Sequence, residues 1–230
     1  MVEAIPTPGL WGLVREVGGV LELPRLLLWS PWLAREPRGH GETVLVLPGF
    51  GTADGATAVL RAALRALGYD ARGWGLGRNH GRVPRLLPRL VERVEASAEE
   101  TGGPIALVGW SLGGYLAREV ARERPDAVRL VITLGSPVVG GPKYTVTARR
   151  YTARGYDLDE IESQVEERAA MPLKVPVTAV YSKHDGVVSW QACIDRREAC
   201  VEHVEVCSTH LGLGFSPDVL TIIVRRLARR

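Results

Sequence analysis

The stretch ALVGWSLGGYLARE, residues 106–119, decides the fold. An apolar run meets a serine with glycines at 109, 113 and 114, and a helical pattern starts directly after it. Serine is a poor residue with which to end a buried strand, and glycine makes the backbone around it permissive. The stretch therefore predicts a strand, a sharp reversal and a helix, with the hydroxyl of Ser111 at the apex. Gly109-Trp110-Ser111-Leu112-Gly113 has the G-x-S-x-G spacing. In that turn the serine adopts a strained conformation, and the flanking glycines avoid clashes with the adjoining strand and helix. The first turn of the helix also offers unsatisfied N–H groups and positive potential.

The surrounding sequence has the pattern this turn needs. TVLVLP (43–48) is a continuous apolar run, as in a strand covered on both faces. Asp54 stands where it could cap a helix with Val59, Leu60, Ala63, Leu64 and Leu67 on its inner face. Strands are expected at 69–74, 104–110, 129–135, 175–182 and 203–207. Helices are expected from Val83 to about Thr101, from Leu112 to Pro125, and from Ser216-Pro217 onward. Strand and helix alternate, which predicts an α/β fold: a mostly parallel sheet of about six strands with helices on both faces. Residues 137–174 interrupt the alternation. Asp157 and Glu160 open a helix within them, and the segment reads as a short lid-like insertion over the carboxyl ends of the strands. Residues 10–22 carry Leu10, Leu13, Val14, Val17, Val20 and Leu21 at helical spacing. They predict an amphipathic helix within an N-terminal segment, 1–40, of one single domain.

Composition narrows the functional class. The chain has 230 residues, 46% apolar and 24% charged, with a net charge of +3. That small surplus gives no argument for nucleic acid. Only Lys143, Lys174 and Lys183 are lysines, and Asn79 is the only asparagine. Coding bias and thermal adaptation through ion pairing both fit this usage. Cys193, Cys200 and Cys207 form no metal pattern. Cys193 and Cys200 flank a charged loop and leave open either a local disulfide or two buried thiols. The N-terminus shows no secretory signal, and residues 10–33 are too interrupted by charge and proline to span a bilayer. The expected location is the cytoplasm or a membrane surface.

A lone serine hydroxyl is a weak nucleophile; it needs a base, and the base needs an orienting carboxylate. The candidates follow in the order serine, acid, histidine, each in a loop after a strand. Asp185 comes after VTAVYS, 74 residues beyond Ser111 (185 − 111), and His210 comes after HVEVC, 25 residues further (210 − 185). Oxyanion donors are expected at the backbone N–H groups of Leu112 and of Phe50, in LPGFGTAD. His184 precedes the acid, His40 lies before the first strand, and His203 lies inside one. His80, Trp74 and Trp110 fall near the expected site face and are candidates for lining a pocket. Packing is the commoner use of a tryptophan.

The stretches LVLPGFG, GWSLGG, VITLGSP, YSKHDGVV and STHLGLG, in this order, resemble the α/β-hydrolase superfamily, in particular its bacterial lipase- and esterase-like members. They cover about residues 44–215. The resemblance implies Ser111 as nucleophile, Asp185 as acid, His210 as base, and Phe50 and Leu112 as oxyanion donors. The first-strand loop is PGFG rather than the HG of many lipases. The two leading antiparallel strands of larger members are missing, and residues 1–40 match no core element. The expected function is serine carboxylic-ester hydrolysis through an acyl-enzyme, with no cofactor and no metal. The substrate is a small or lipid-like ester, and residues 10–33 could touch a lipid interface. The alternatives are an acyltransferase with the same three residues, or a non-catalytic binding protein.

Overall fold

The computed structural model describes residues 5–229. Six strands run β1 Thr43–Leu47, β2 Asp70–Gly73, β3 Ile105–Trp110, β4 Val128–Leu134, β5 Val177–Tyr181 and β6 Val201–Glu205. They form one sheet in the order β2-β1-β3-β4-β5-β6, every pair parallel. The helices are α1 Leu10–Arg15, α2 Glu22–Leu33, α3 Ala58–Ala66, α4 Val83–Thr101, α5 Leu112–Glu123, α6 Ala148–Thr152, α7 Leu158–Ala169 and α8 Pro217–Leu227.

Every residue of β1 and β3 is buried, as a strand covered on both faces requires. Successive side chains point to opposite faces, so the strands feed two cores. Leu45, Leu47 and Leu107 pack with Leu90 of α4 and Leu116 of α5. Val44, Val46 and Val108 pack with Leu64 of α3 and Ile223 of α8 on the other face. The expected α/β architecture is thus present, with three local corrections.

First, β6 spans 201–205, not 203–207. It is an edge strand whose residues are half-buried or exposed, so it lacks the continuous apolar run that marks a central strand, and charges on it protect an open edge. Second, Asp54 does not cap α3. A 3₁₀ turn, Asp54–Thr57, precedes that helix, and the Asp54 carboxylate instead accepts from Trp74 N–H at 2.9 Å and Gly75 N–H at 3.2 Å, securing the end of β2. Third, the N-terminal segment is not one helix over 10–22. It continues as α1, a 3₁₀ stretch Glu16–Leu21 over Gly18-Gly19, and α2. Its apolar stripe faces outward: Leu13, Val14, Val17, Val20 and Leu21 are exposed, while Glu16, Gly19 and Glu22 are buried. The reason is polar. The buried face meets loops with unpaired backbone N–H groups, and those need acceptors, not methyl groups.

The three cysteines are all free thiols. Cys193 is fully buried and Cys200 lies against Leu173 O, so each serves as a small packed side chain.

Buried charge ties α5 to its surroundings. Arg118 donates to Asp195, and their side chains are 2% and 1% exposed. Arg122 meets Glu119 at 3.3 Å and Glu198 at 2.8 Å, and Arg168 of α7 meets Glu119 and Glu123. Breaking a buried pair strands the other charge, whereas replacing both partners is often neutral. Arg118→Met should therefore cost about 3–5 kcal/mol in urea unfolding. Arg118→Met with Asp195→Leu should recover much of that loss. An unchanged midpoint in the single variant would show that the pair carries no stability.

Candidate active site

Ser111 sits between β3 and α5 with φ 55° and ψ −123°. Among the described residues it is the one non-glycine with positive φ. Such a conformation costs of order 1–3 kcal/mol and needs surroundings that enforce it. Two close approaches do so. A Cβ on Gly109 would lie 2.3 Å from Gly114 Cα and 2.4 Å from the Gly113 carbonyl. A Cβ on Gly113 would lie 2.4 Å from Leu47 O. Helix α5 can therefore start against β3 and β1 only if both positions are glycine. The Ser111 N–H donates to Leu134 O at 2.8 Å, which locks the turn to β4.

Asp185 follows β5, and His210 follows β6. Asp185 Oδ2 and His210 Nδ1 are 2.6 Å apart, with side-chain exposures of 1% and 6%. A carboxylate only accepts, so Nδ1 carries the proton and Nε2 is left as the basic nitrogen. Asp185 Oδ1 accepts from Val187 N–H at 2.8 Å and Val188 N–H at 2.7 Å. The carboxylate is thus fixed from two sides. Burial opposes charge on His210, but the Asp185 and Glu16 carboxylates outweigh it, and the pKa is raised above 6.5.

Trp110 Nε1 donates to His210 O at 3.1 Å, bringing the histidine loop beside the residue that precedes Ser111. No hydrogen bond joins Ser111 to His210 among the described residues; such contacts are often loose without substrate and tighten on binding.

The N–H groups of Phe50 and Leu112 find no acceptor among the described residues. Leu112 opens α5, where the first helical N–H groups have no partner in the helix. The Phe50 loop is held by Asn79. Its Nδ2 donates to Pro48 O at 2.9 Å, its N–H to Thr52 O at 2.8 Å, and its carbonyl accepts from Gly51 N–H at 2.7 Å. Asn79 is fully buried.

Ser111, Leu112 and Phe50 line a cavity of about 610 Å³. Its other walls include Leu87, Tyr115, Val187 and Val188, and the 137–174 segment through Thr147, Tyr151, Ile161 and Val165. Tyr151 of α6 stacks on Phe50 with ring centres 4.9 Å apart. The Asp157 carboxylate caps α7 through Asp159 N–H and Glu160 N–H.

The three side chains expected to line the pocket do not. Trp74 is fully buried in a core cluster and spends its indole N–H on Gly77 O. Trp110 packs edge-on against Phe215. His80 is exposed, while its neighbour Gly81 reaches the cavity. Position on the site face does not fix side-chain direction; the hydrogen bonds of the indoles do. Two other histidines are engaged elsewhere: His203 Nε2 accepts from Asp195 N–H, and His184 faces Cys207.

Sequence reading missed two residues. Asn79 carried a signal, as the chain's lone asparagine beside glycines. Glu16 carried little, as one acid within an apolar stripe. Its Oε1 accepts from Gly186 N–H at 2.7 Å and His210 N–H at 3.0 Å, and its Oε2 from Leu211 N–H at 2.7 Å. Among the described residues no three His, Cys, Asp or Glu side chains gather as a metal site.

The model of the alpha/beta hydrolase family matches residues 44–223. A pimeloyl-[acyl-carrier protein] methyl ester esterase from Aeromonas hydrophila subsp. hydrophila is 32% identical over 102 residues, 43% of this chain and 39% of that protein. The matched stretch is thus well under half of that relative. Among solved structures, alpha/beta hydrolase domain-containing protein 10 from mouse superposes with a TM-score of 0.59 at 18% identity, covering 80% of this chain and 87% of that one. The monoacylglycerol lipase of Paleococcus ferrophilus gives 0.56 at 16% identity, covering 83% and 94%. These two show a shared fold. With the family model spanning the sheet from β1 to α8, the chain belongs to the alpha/beta hydrolase family.

Proposed function

We propose that the protein hydrolyses carboxylic esters with apolar acyl groups through an acyl-serine. The observation that carries this reading is Ser111, held at a positive φ on the wall of a mostly apolar cavity, in a fold that also joins Asp185 to His210. In this reading Ser111 Oγ attacks the ester carbonyl carbon while His210 Nε2 takes its proton. The N–H groups of Phe50 and Leu112 stabilise the oxyanion. The ester C–O bond breaks, and the alcohol leaves with the proton held by His210. His210 then takes a proton from water, whose oxygen attacks the acyl carbon, and the carboxylic acid departs from restored Ser111. Asp185 holds the tautomer and supports the imidazolium. The Aeromonas relative is named for an ester of an acyl group, which supports the ester class.

Ser111→Ala and His210→Ala should each lower kcat by at least about 10⁴-fold, and Asp185→Asn by somewhat less. His80→Ala should behave like wild type. A fluorophosphonate should label Ser111 and no other residue. Across p-nitrophenyl esters from acetyl to decanoyl, kcat/KM should peak beyond acetyl, because the cavity is apolar. Turnover that survives Ser111→Ala would overturn the mechanism, and an acetyl optimum would overturn the acyl preference.

The base must be neutral to act. Since the Asp185 and Glu16 carboxylates raise the His210 pKa, kcat/KM should fall on the acid side with a midpoint above 6.5. Asp185→Asn removes one charge and should move that midpoint down. A midpoint below 6.5 in the wild type would contradict the arrangement.

A further inference from the structure

Glu16 stands outside the cavity and outside the family-matched residues, 44–223. Yet it is 4% exposed and holds three backbone N–H groups with two oxygens. One belongs to Gly186, next to Asp185. The others belong to His210 itself and Leu211. These two loops leave different strands, β5 and β6, and one carboxylate joins them. The chain around Glu16 is shaped for that contact. A Cβ on Gly12 would lie 2.9 Å from Gly186 Cα, and a Cβ on Gly19 would lie 2.6 Å from Thr209 Oγ1 and 2.7 Å from Gly212 N. Glycine on each side of Glu16 lets the segment lie directly on the backbone of both loops. Glu22, six residues on (22 − 16), adds a fourth tie by accepting from Ser208 Oγ at 3.1 Å.

We propose that Glu16 is a positioning residue, which sets the distance and angle between Asp185 and His210 by binding the backbones of both their loops. The inference rests on the ester-hydrolase reading for its effect on rate, but not for its effect on His210. Charged hydrogen bonds to backbone N–H groups are about twice as strong as neutral ones, and small misplacements of catalytic groups can cost about 10²-fold. The charges facing His210 are Asp185 from its loop and Glu16 from the N-terminal segment. The Cys193 thiol beside Asp185 is pushed up by burial and stays neutral. Lys183, on the acid loop, is turned to Glu205 at 2.9 Å.

The test is Glu16→Gln in the full chain. Glutamine has the same length but one acceptor oxygen and no charge. We expect kcat to fall on the order of 10–100-fold with little change in KM, because Glu16 touches no cavity wall. The imidazole of His210, titrated by NMR, should show a lower pKa than in wild type, and the acid limb of kcat/KM should move down with it. Gly12→Val, which forces the segment off Gly186, should give the same loss of kcat without altering a charge. Thermal unfolding separates this from collapse of the fold. A Glu16→Gln protein with wild-type kcat and an unmoved His210 titration overturns the proposal. If the wild type turns over no ester, the reading of function fails, and the His210 titration in Gly12→Val, which leaves every charge in place and should move down if the Asp185–His210 pairing depends on the segment, still decides the role of Glu16.

A second observation concerns the opposite face of the same segment. Trp11, Val17, Leu21, Leu27 and Leu28 are each more than 70% exposed, and Trp29 stacks on half-exposed Trp32. The acids Glu16, Glu22 and Glu36 are occupied, by N–H groups, Ser208 and Arg25, and Arg225. Exposed Arg15, Arg35 and Arg38 make no ion pair among the described residues. The outward charge of the segment's described residues is therefore positive. In a two-fold pairing of copies this face would meet itself and set like charges together. An anionic bilayer offers the opposite charge and an apolar interior, and tryptophan, leucine and arginine suit that boundary.

We infer that this face docks on anionic lipid. Phosphatidylcholine vesicles containing phosphatidylglycerol should carry the protein in sedimentation, more than phosphatidylcholine alone, and salt should weaken the binding. The triple variant Trp11→Ser, Leu27→Ser, Leu28→Ser should stay in the supernatant with unchanged turnover of a soluble ester. No binding to either vesicle overturns the inference. So does a dimer in light scattering that the triple variant dissolves.

Discussion

The reversal at Ser111 is the constraint on which the rest depends. Strand β3 lies in the middle of a six-stranded parallel sheet, and helix α5 must turn back along it at once. The backbone can do so only where Gly109 and Gly113 let strand and helix touch. The result places one hydroxyl at a left-handed apex and leaves the first N–H groups of α5 beside it. A parallel sheet collects its functional loops at the carboxyl ends of its strands. The turn fixes the point around which the loops after β1, β5 and β6 must meet.

Those loops are not self-supporting. The loop after β1 is tied by Asn79, whose side chain and backbone both bond to it. The loops after β5 and β6 are tied by Glu16. In each case a buried polar residue from elsewhere in the chain supplies what the loop backbone lacks. Buried N–H groups need partners, and a carboxylate shared among three of them is a strong tie. The cost falls on the N-terminal segment. From Leu13 to Glu22 it turns its carboxylates inward and its apolar side chains outward, the reverse of an ordinary amphipathic helix. That inversion gives the segment an exposed apolar surface on one side and a hold on the two loops on the other.

The core is organised by simpler physics. Strands covered on both faces alternate their side chains between two clusters, and helices on each side close them. The exceptions are polar. Arg118, Arg122, Glu119 and Asp195 are buried together, and the pairs bind α5 to the segment before β6 and to α7. The wall of the cavity formed by residues 137–174 is thereby joined, through Arg168, to the helix that follows Ser111.

The sequence alone determined the order of the six strands and the elbow at Ser111, and chain order nominated Asp185 and His210, which the structure sets side by side. Each follows from a local signal: apolar runs, glycine spacing, or a titratable residue in a loop after a strand. The tertiary structure alone decided where side chains on the site face point. Trp74 and Trp110 turned to the core, where each indole N–H meets a backbone carbonyl, and His80 turned to solvent. It also decided that β6 begins at Val201, since an edge strand lacks the apolar run that marks the central ones. Above all it decided the role of residues 10–33. Periodicity identifies an apolar stripe, but it cannot tell which face turns inward. Here the answer lay in three backbone N–H groups 170, 194 and 195 residues away, and only the folded chain brings them to Glu16.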